Sequence, residues 1–458
     1  MDKLVITAWT GMTVRNVIWS PLYQELEKHF DLTVYSNFST QLKRIATTDN
    51  LHVDFSALPI PRWWLSTIQS YLTKLLFRWN YYALWLARHP ETAANYMELE
   101  ESRSLFLFHL TRLGGKYVNY LRRHVNRDRD WLRDLAYTLP LKAVADHTDV
   151  LFVTTTDISQ DQMLMYSFKK LGVPVVALVH SWDNLPSRGL LSSMPNRLLV
   201  WNKFMAEDAH QLHDISRSSI EIVGVPQYEL YRRIDMTVVK DPLLSTLQIP
   251  KSTRIITYTG NAEYVFPDEP EFVETLLQII SEGRFGRAVL VFRLHPTERH
   301  QFYRSKYAQS SLPIRLDFPD ENFAAESTKD IGKLNTIDHF VRLMKYSDVV
   351  INVASTITLD SLLFGTPVIC PIFNLSLSPT AWNAASRWYQ STHFRRLLVY
   401  DAIRLPDTMT SLVTSIDDAL LYPDEKLENT RQLINDFAPN LPTSKLICDG
   451  LLRECPQY

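Results

Sequence analysis

The sequence predicts an α/β protein of two doubly wound domains facing across a cleft. Three observations carry this. Short runs of β-branched and apolar residues recur in both halves, each followed by a polar loop and a helical stretch, which is the alternation of a parallel sheet wrapped by helices. The runs are apolar throughout, as strands covered on both faces must be. The rhythm breaks once, between residues 231 and 252, where Pro242 and Pro250 fall, and a fresh strand then begins. A chain of 458 residues is in any case too long for one ordinary core. We therefore expect a first domain over 1–230, with a helical, aromatic-rich insertion at about 61–135, and a second over 231–458 with a helical tail.

Taken in order, residues 4–8 read as a first buried strand, 10–16 as a loop, 17–30 as a helix and 32–35 as a second strand. Gly11 lets the backbone approach a ligand closely and Arg15 can point a charge into the cleft; an ordinary turn with a surface arginine fits equally well. From residue 61 the composition changes. Between Phe55 and Pro90 there is no Asp or Glu, while Trp63, Trp64, Trp79, Tyr81, Tyr82 and Trp85 crowd the segment. An aromatic, basic, acid-free helix suits an anionic membrane surface. A large helix buried on the sheet suits the same residues, since aromatics dominate cores.

Strands return at 150–155, 173–179, 198–202 and 220–226. The second of these strands runs into the densest polar loop in the protein, His180-Ser181-Trp182-Asp183-Asn184-Leu185-Pro186-Ser187-Arg188-Gly189. It leaves a buried strand at its carboxyl end, where open α/β sheets put their ligands. In the second domain, strands are expected at 254–259, 288–294, 314–318, 348–353 and 367–371, with helices at 271–280, 337–344 and 356–364. Gly365 stands where a glycine ends a helix.

Composition excludes several classes. Hydrophobic residues at 46% and charged residues at 21% are globular values. A formal net charge of −2 lacks the basic excess of a nucleic-acid binder. Three cysteines, Cys370, Cys448 and Cys455, are too few and scattered for a disulfide framework or a zinc site. The first residues do not have the form of a signal peptide, and no stretch reaches the roughly 20 apolar residues of a spanning helix. The expectation is a cytoplasmic protein, with the 62–88 segment as the place for peripheral contact with the inner face of an anionic membrane.

Three features of the second domain carry chemistry. Arg293 and His295 fall on one face of a strand end, a fixed cation and a titratable donor suited to a diphosphate; a structural histidine beside a surface arginine is the competing reading. Ser355 and Thr356 sit at a strand exit running into a helix, where a hydroxyl caps the helix and free N–H groups attract an anion. Asp360, one turn on, can hold a ribose diol. The loop Gly260-Asn261-Ala262-Glu263 adds a small residue and polar neighbours. In the first domain His180 is the candidate base, with Asp183 orienting it or acting itself. Gly11, Arg15, Trp182, Asn184 and Arg188 are the acceptor-side candidates. No Asp-X-Asp motif stands near a strand end, so neither a metal nor a cofactor is expected; the nucleotide-activated donor is itself a substrate.

At these residues the chain resembles the GT-B glycosyltransferase superfamily, most of all its CDP-glycerol glycerophosphotransferase branch and related surface-polysaccharide transferases. His180-Ser181-Trp182 stands where that branch has His-Gly-Thr, Leu294-His295-Pro296 matches its X-His-Pro strand end, and Ser355-Thr356, Asp360 and Gly365-Thr366-Pro367 match its Ser-Ser-helix-Asp and Gly-X-Pro segment. The resemblance spans about residues 150–375. It implies two Rossmann-like domains, His180 as base, and donor phosphates held by His295, Ser355 and Thr356. Val353-Ala354 replaces the family's Asp-Tyr, which turns the expectation from glycerol phosphate to a sugar, carried to a polysaccharide or glycolipid acceptor. The nucleotide-sugar 2-epimerases share the fold, and Asp157, Asp183 and Glu263 are the carboxylates they would need. A non-catalytic nucleotide-sugar-binding protein is the reading from another class.

Overall fold

A computed structural model describes residues 1–49, 52–57, 141–157, 159–187, 191, 193–235, 237–263, 265–295, 300–307, 310–318, 334–375 and 384–455. The chain divides into two compact units, Met1–Glu229 with Asn440–Tyr458, and Leu230–Pro439. The aromatic-basic segment at 62–88, the rest of the 61–135 insertion, Arg188 and Gly189 lie outside the described residues.

Among the described residues the first unit carries a parallel sheet of seven strands, β1 (Asp2–Thr7), β2 (Phe30–Tyr35), β3 (Val53–Ser56), β4 (Val150–Val153), β5 (Val175–Leu178), β6 (Arg197–Val200) and β7 (Ile220–Ile222). Their order across the sheet is β3-β2-β1-β4-β5-β6-β7. β4 and β5 are buried at every position, which is why their sequences read as unbroken apolar runs. The sequence suggested one helix over 17–30; two are present, Gly11–Ile18 and Pro21–Leu26. The break is local chemistry. Pro21 cannot continue a helix but opens one well, and the Ser20 hydroxyl accepts from Leu22 N–H at 3.2 Å. β3 was not expected from the sequence.

The second unit carries β8 (Arg254–Thr259), β9 (Ala288–Arg293), β10 (Ile314–Asp317), β11 (Val349–Ile351) and β12 (Val368–Ile369), all parallel, in the order β10-β9-β8-β11-β12. One flank of this sheet is sealed by Leu243, Leu244, Leu247, Ile249, Ile255, Val289, Val291, Leu343 and Met344. Four of these lie between residues 231 and 252, where the sequence showed no periodicity; the helix Lys240–Thr246 forms there because its Leu243 and Leu244 dock on this core.

The last helix, Thr443–Leu452, belongs to the first unit, whereas the sequence placed the whole tail in the second domain. Its start is held by Glu229, which accepts from the Ser444 N–H at 2.8 Å and hydroxyl at 2.7 Å. Just past its end Glu454 accepts two bonds from Arg197 of β6, at 2.9 and 2.7 Å. No helix among the described residues is long and apolar enough to cross a membrane.

Candidate functional site

In each sheet the strand order reverses beside its first strand, at β1/β4 and at β8/β11. Loops leaving such neighbours diverge and open a crevice at the carboxyl ends. Of the polar residues singled out from the sequence, His180, Asn261, His295 and Ser355 follow the carboxyl ends of β5, β8, β9 and β11, Arg293 ends β9, and Arg15 and Asp360 stand on helices that follow β1 and β11.

In the first unit, β1 and β4 are stitched together past their last ladder bonds. Thr154 donates its N–H to Thr7 Oγ1 at 3.2 Å and its hydroxyl to Thr7 O at 2.6 Å. Asp161, buried on the helix Ser159–Lys170, accepts from Trp9 Nε1 at 2.6 Å, from Thr155 N at 3.2 Å and from the Thr155 hydroxyl. Burial pushes its carboxyl up to about 6, although the Thr155, Trp9 and Thr7 side chains pull it back down. Asp157, two residues beyond Thr155, brings Oδ1 to 3.5 Å from Nδ1 of His180, which leaves the adjacent strand β5. Asn184 places Nδ2 3.2 Å from the same ring nitrogen. Nε2 makes no hydrogen bond to the described residues. An amide N–H₂ only donates, so with this contact Nδ1 accepts and the neutral ring carries its proton on Nε2; the tautomer that turns Nδ1–H toward Asp157 gives up the Asn184 bond and puts on Nε2 the lone pair a base needs.

Asp157 therefore occupies the place beside His180 where the sequence suggested Asp183. The Asp183 carboxylate accepts from the Ser181 hydroxyl instead. That pairing follows from the one-turn helix Asn184–Ser187, which turns the loop back and buries Asn184. Trp182 is only 3% exposed, so its ring is covered and offers no open stacking face. His213 fixes the far side of this loop. Its Nδ1 accepts from Leu191 N at 3.2 Å and its Nε2 donates to Leu185 O at 2.8 Å, which sets a neutral tautomer. Gly11 opens the helix Gly11–Ile18, and Arg15 on it is mostly buried, with Nε donating to Asn16 Oδ1 at 3.1 Å.

In the second unit, Gly260 continues the β8 ladder by donating to Arg293 O at 2.8 Å. A Cβ there would lie 3.2 Å from His295 N and from the Phe292 ring. The next turn is fastened by Glu269, buried at 3% exposure, which accepts from Asn261 N at 2.7 Å, Tyr258 at 3.2 Å and Tyr303 at 3.1 Å. Burial and the Glu269 charge push the Tyr258 hydroxyl far above its ordinary range. Glu263 is exposed on this loop.

Arg293 is committed to a partner the sequence did not reveal. Its Nη1 lies 2.5 Å from Asp317 Oδ2 on the neighbouring strand β10, and its guanidinium stands 4.9 Å from the Phe340 ring centre. His339 reaches Asp317 Oδ1 at 2.8 Å. Burial would raise the Asp317 carboxyl, but Arg293 and His339 overcome it and hold it down at about 2. His295 follows β9, and its carbonyl faces His300 Nε2 at 2.6 Å.

The loop after β11 is organised by Asn352. Its Oδ1 gathers Ser355 N at 3.1 Å, the Thr358 hydroxyl at 3.0 Å and Cys370 Sγ at 3.9 Å. Ala354 takes φ +43°, a left-handed conformation that costs an L-residue about 1 kcal/mol; Tyr389 receives its N–H at 3.1 Å. The helix that follows is Ile357–Leu362, shorter than the sequence suggested. Its cap is Thr356 rather than Ser355, with no side-chain cap bond. The Ser355 hydroxyl accepts from Ile357 N at 3.3 Å. With six residues this helix has little dipole to offer an anion. Asp360 is buried on it.

Among the described residues at this second crevice, Thr259 Oγ1, Asn261 Nδ2 and Asn352 Nδ2 are buried with no well-formed hydrogen bond, although the Asn261 amide stands close enough to the Tyr258 hydroxyl to pull its pKa down. Thr259 ends β8, Asn261 follows it and Asn352 follows β11, so they flank the switch point. Buried N–H groups are almost always paired. Amide donors left without well-formed bonds here match a ligand rich in acceptor oxygens.

No family model and no curated protein matches the chain by sequence. Solved structures do match by fold. The UDP-GlcNAc 2-epimerase of Neisseria meningitidis bound to UDP-GlcNAc aligns over 99% of this chain and 100% of its own, at 12% identity and a TM-score of 0.56. The UDP-GlcNAc 2-epimerase of Methanocaldococcus jannaschii aligns over 94% and 98%, at 12% identity and 0.50. A glycosyltransferase of Rickettsia africae aligns over 99% of both chains, at 10% identity and 0.50. The fold class is therefore GT-B, two Rossmann-like units in one chain, as the sequence predicted.

Proposed function

We propose that the protein is a metal-independent glycosyltransferase that moves a sugar from a nucleotide-activated donor to a hydroxyl of a surface-polysaccharide or glycolipid acceptor. The observation that carries this reading is the His180–Asp157 pair at the carboxyl ends of β5 and β4. His180 Nε2 takes the acceptor proton, and Asp157 beside Nδ1 stabilises the imidazolium. The acceptor oxygen bonds to the anomeric carbon while the bond from that carbon to the diphosphate breaks. The electron pair leaves with the nucleoside diphosphate. In the second unit the Asn261 and Asn352 amide donors, with His295 and the Ser355 region, meet that developing negative charge. Arg293 contributes through a guanidinium already shared with Asp317.

A 2-epimerase is the second reading, favoured by the enzymes that align over nearly the whole chain. It inverts a ring carbon and must remove and return the hydrogen there. One experiment separates the two. The protein is incubated with a panel of UDP-, GDP-, CDP- and CMP-sugars in heavy water, with and without an acceptor glycan. Acceptor-dependent release of nucleotide without deuterium on the sugar supports the transferase. Deuterium at C2 of recovered nucleotide sugar sinks it in favour of the epimerase. A phosphodiester product identifies a glycerophosphotransferase, and binding without turnover a nucleotide-sugar-binding protein. Insensitivity to chelators tests metal independence. Co-sedimentation with anionic vesicles tests the peripheral membrane contact expected of the 62–88 segment.

A further inference from the structure

Asp161 touches neither His180 nor any residue singled out from the sequence, yet the loop that bears Asp157 is built on it. It is buried to 0% exposure. One oxygen takes the indole N–H of Trp9 from the β1 end, and the other takes both the N–H and the hydroxyl of Thr155 from the β4 end. These bonds cross the switch point, so a single carboxylate ties together two loops that sheet topology drives apart. From Thr155 the chain runs two residues to Asp157, and Gln162, next to Asp161 on the same helix, donates to Thr156 O between them at 3.1 Å. Two of the three peptides between Thr154 and Asp157 are thus held from the first turn of this helix, through Thr155 N and Thr156 O.

We propose that Asp161 is a positioning residue that holds Asp157 beside the His180 ring by locking the β1 and β4 loops together. The proposal rests on His180 as the base of the reaction. An apolar residue of the same size at this place would leave the Trp9 and Thr155 donors buried and unpaired. Here a carboxylate is kept in a fully buried place at a desolvation cost that raises its carboxyl to about 6, and three donors converge on it. Networks of this kind act as a unit, and coupling between their members reveals it.

The test reads His180 itself. Its rate of modification by diethyl pyrocarbonate is followed by peptide mass spectrometry in the full chain, in wild type, Asp157→Asn, Asp161→Asn and the double variant. Each single change is expected to raise the rate about fivefold, and the double variant to react no faster than Asp157→Asn alone. A folded Asp161→Asn protein with the wild-type rate overturns the proposal, and so do effects that multiply. Where Asp161→Asn does not fold, Thr155→Val, which removes one of the three donors, carries the same comparison with Asp157→Asn. Turnover is measured alongside, with kcat expected to fall and KM for the nucleotide sugar to stay within about twofold. Absence of turnover in wild type would refute the proposed function, while the modification rates would still decide the role of Asp161.

Discussion

The two switch-point crevices solve the same topological problem in opposite ways. In the first unit, side chains close the gap between β1 and β4. Thr7 meets Thr154, and Trp9 and Thr155 meet Asp161. In the second unit the backbone is fastened equally well, by Glu269 and by Asn352 Oδ1, but the Thr259 hydroxyl and two amide N–H₂ groups are left buried without well-formed hydrogen bonds. Among the described residues at the first crevice the buried atom without a hydrogen bond is an acceptor, Asp157 Oδ1, facing the His180 ring, whereas at the second two are amide donors that a bound anion would complete. Under the proposed function, the first unit would supply preorganisation and the second recognition.

The largest effect expected from this contrast is at His180. In His180→Ala turnover should fall about 1,000-fold, while nucleotide diphosphates still raise the melting temperature as in wild type. Loss of that ligand-induced shift would mean that the two roles are not divided between the units. Next comes Asn352→Asp, which keeps the oxygen that gathers Ser355, Thr358 and Cys370 and replaces the unbonded N–H₂ by a second oxygen. Calorimetry should show nucleotide affinity lowered about 10- to 100-fold, the range expected of a hydrogen bond to a charged ligand. Affinity equal to wild type would remove Asn352 from the donor site.

Acidity distinguishes the units too, with opposite sign. Asp161 titrates at about 6 against an ordinary 3.8. Its folded state therefore holds a proton that the unfolded chain has given up, and stability falls as pH rises from about 4 to 6, by about 3 kcal/mol. Asp317 titrates at about 2. Its contribution is complete above about pH 4 and is lost as pH falls toward 2, by about 2 kcal/mol. Hydrogen exchange resolved to each unit should show both trends. Asp161→Asn should abolish only the first and Asp317→Asn only the second. The smallest effect is Gly260→Ala. Its new methyl meets backbone at 3.2 Å, so urea unfolding should show about 1 kcal/mol lost, with the first unit untouched.

The contrast also marks what could be read from the sequence. The strands were legible because parallel strands are buried on both faces, so β4, β5, β8 and β9 announce themselves without distant partners. The loops that end them were legible for the same reason, and with them His180, His295 and Asn261. Pairings between loops were not. Arg293 meets Asp317 because β9 and β10 align those two residues in register, and nothing near either residue encodes that alignment. Asp157 displaced Asp183 beside His180 for a similar reason, since β4 and β5 are neighbours in space. One local signal does point to Asp161. Asp161 is an acidic residue in the first turn of a helix that follows a run of three threonines, a setting that favours a carboxylate gathering loop N–H groups.

The return of Asn440–Tyr458 to the first unit bears on how the protein is made. A ribosome releases Leu230–Pro439 in full before the first unit has its last helix. The second unit can thus mature while Arg197 still lacks Glu454, and Glu229 lacks Ser444. The half that carries His180 is finished last, so a chain cut short at Pro439 would retain every residue of the second unit and lose part of the first.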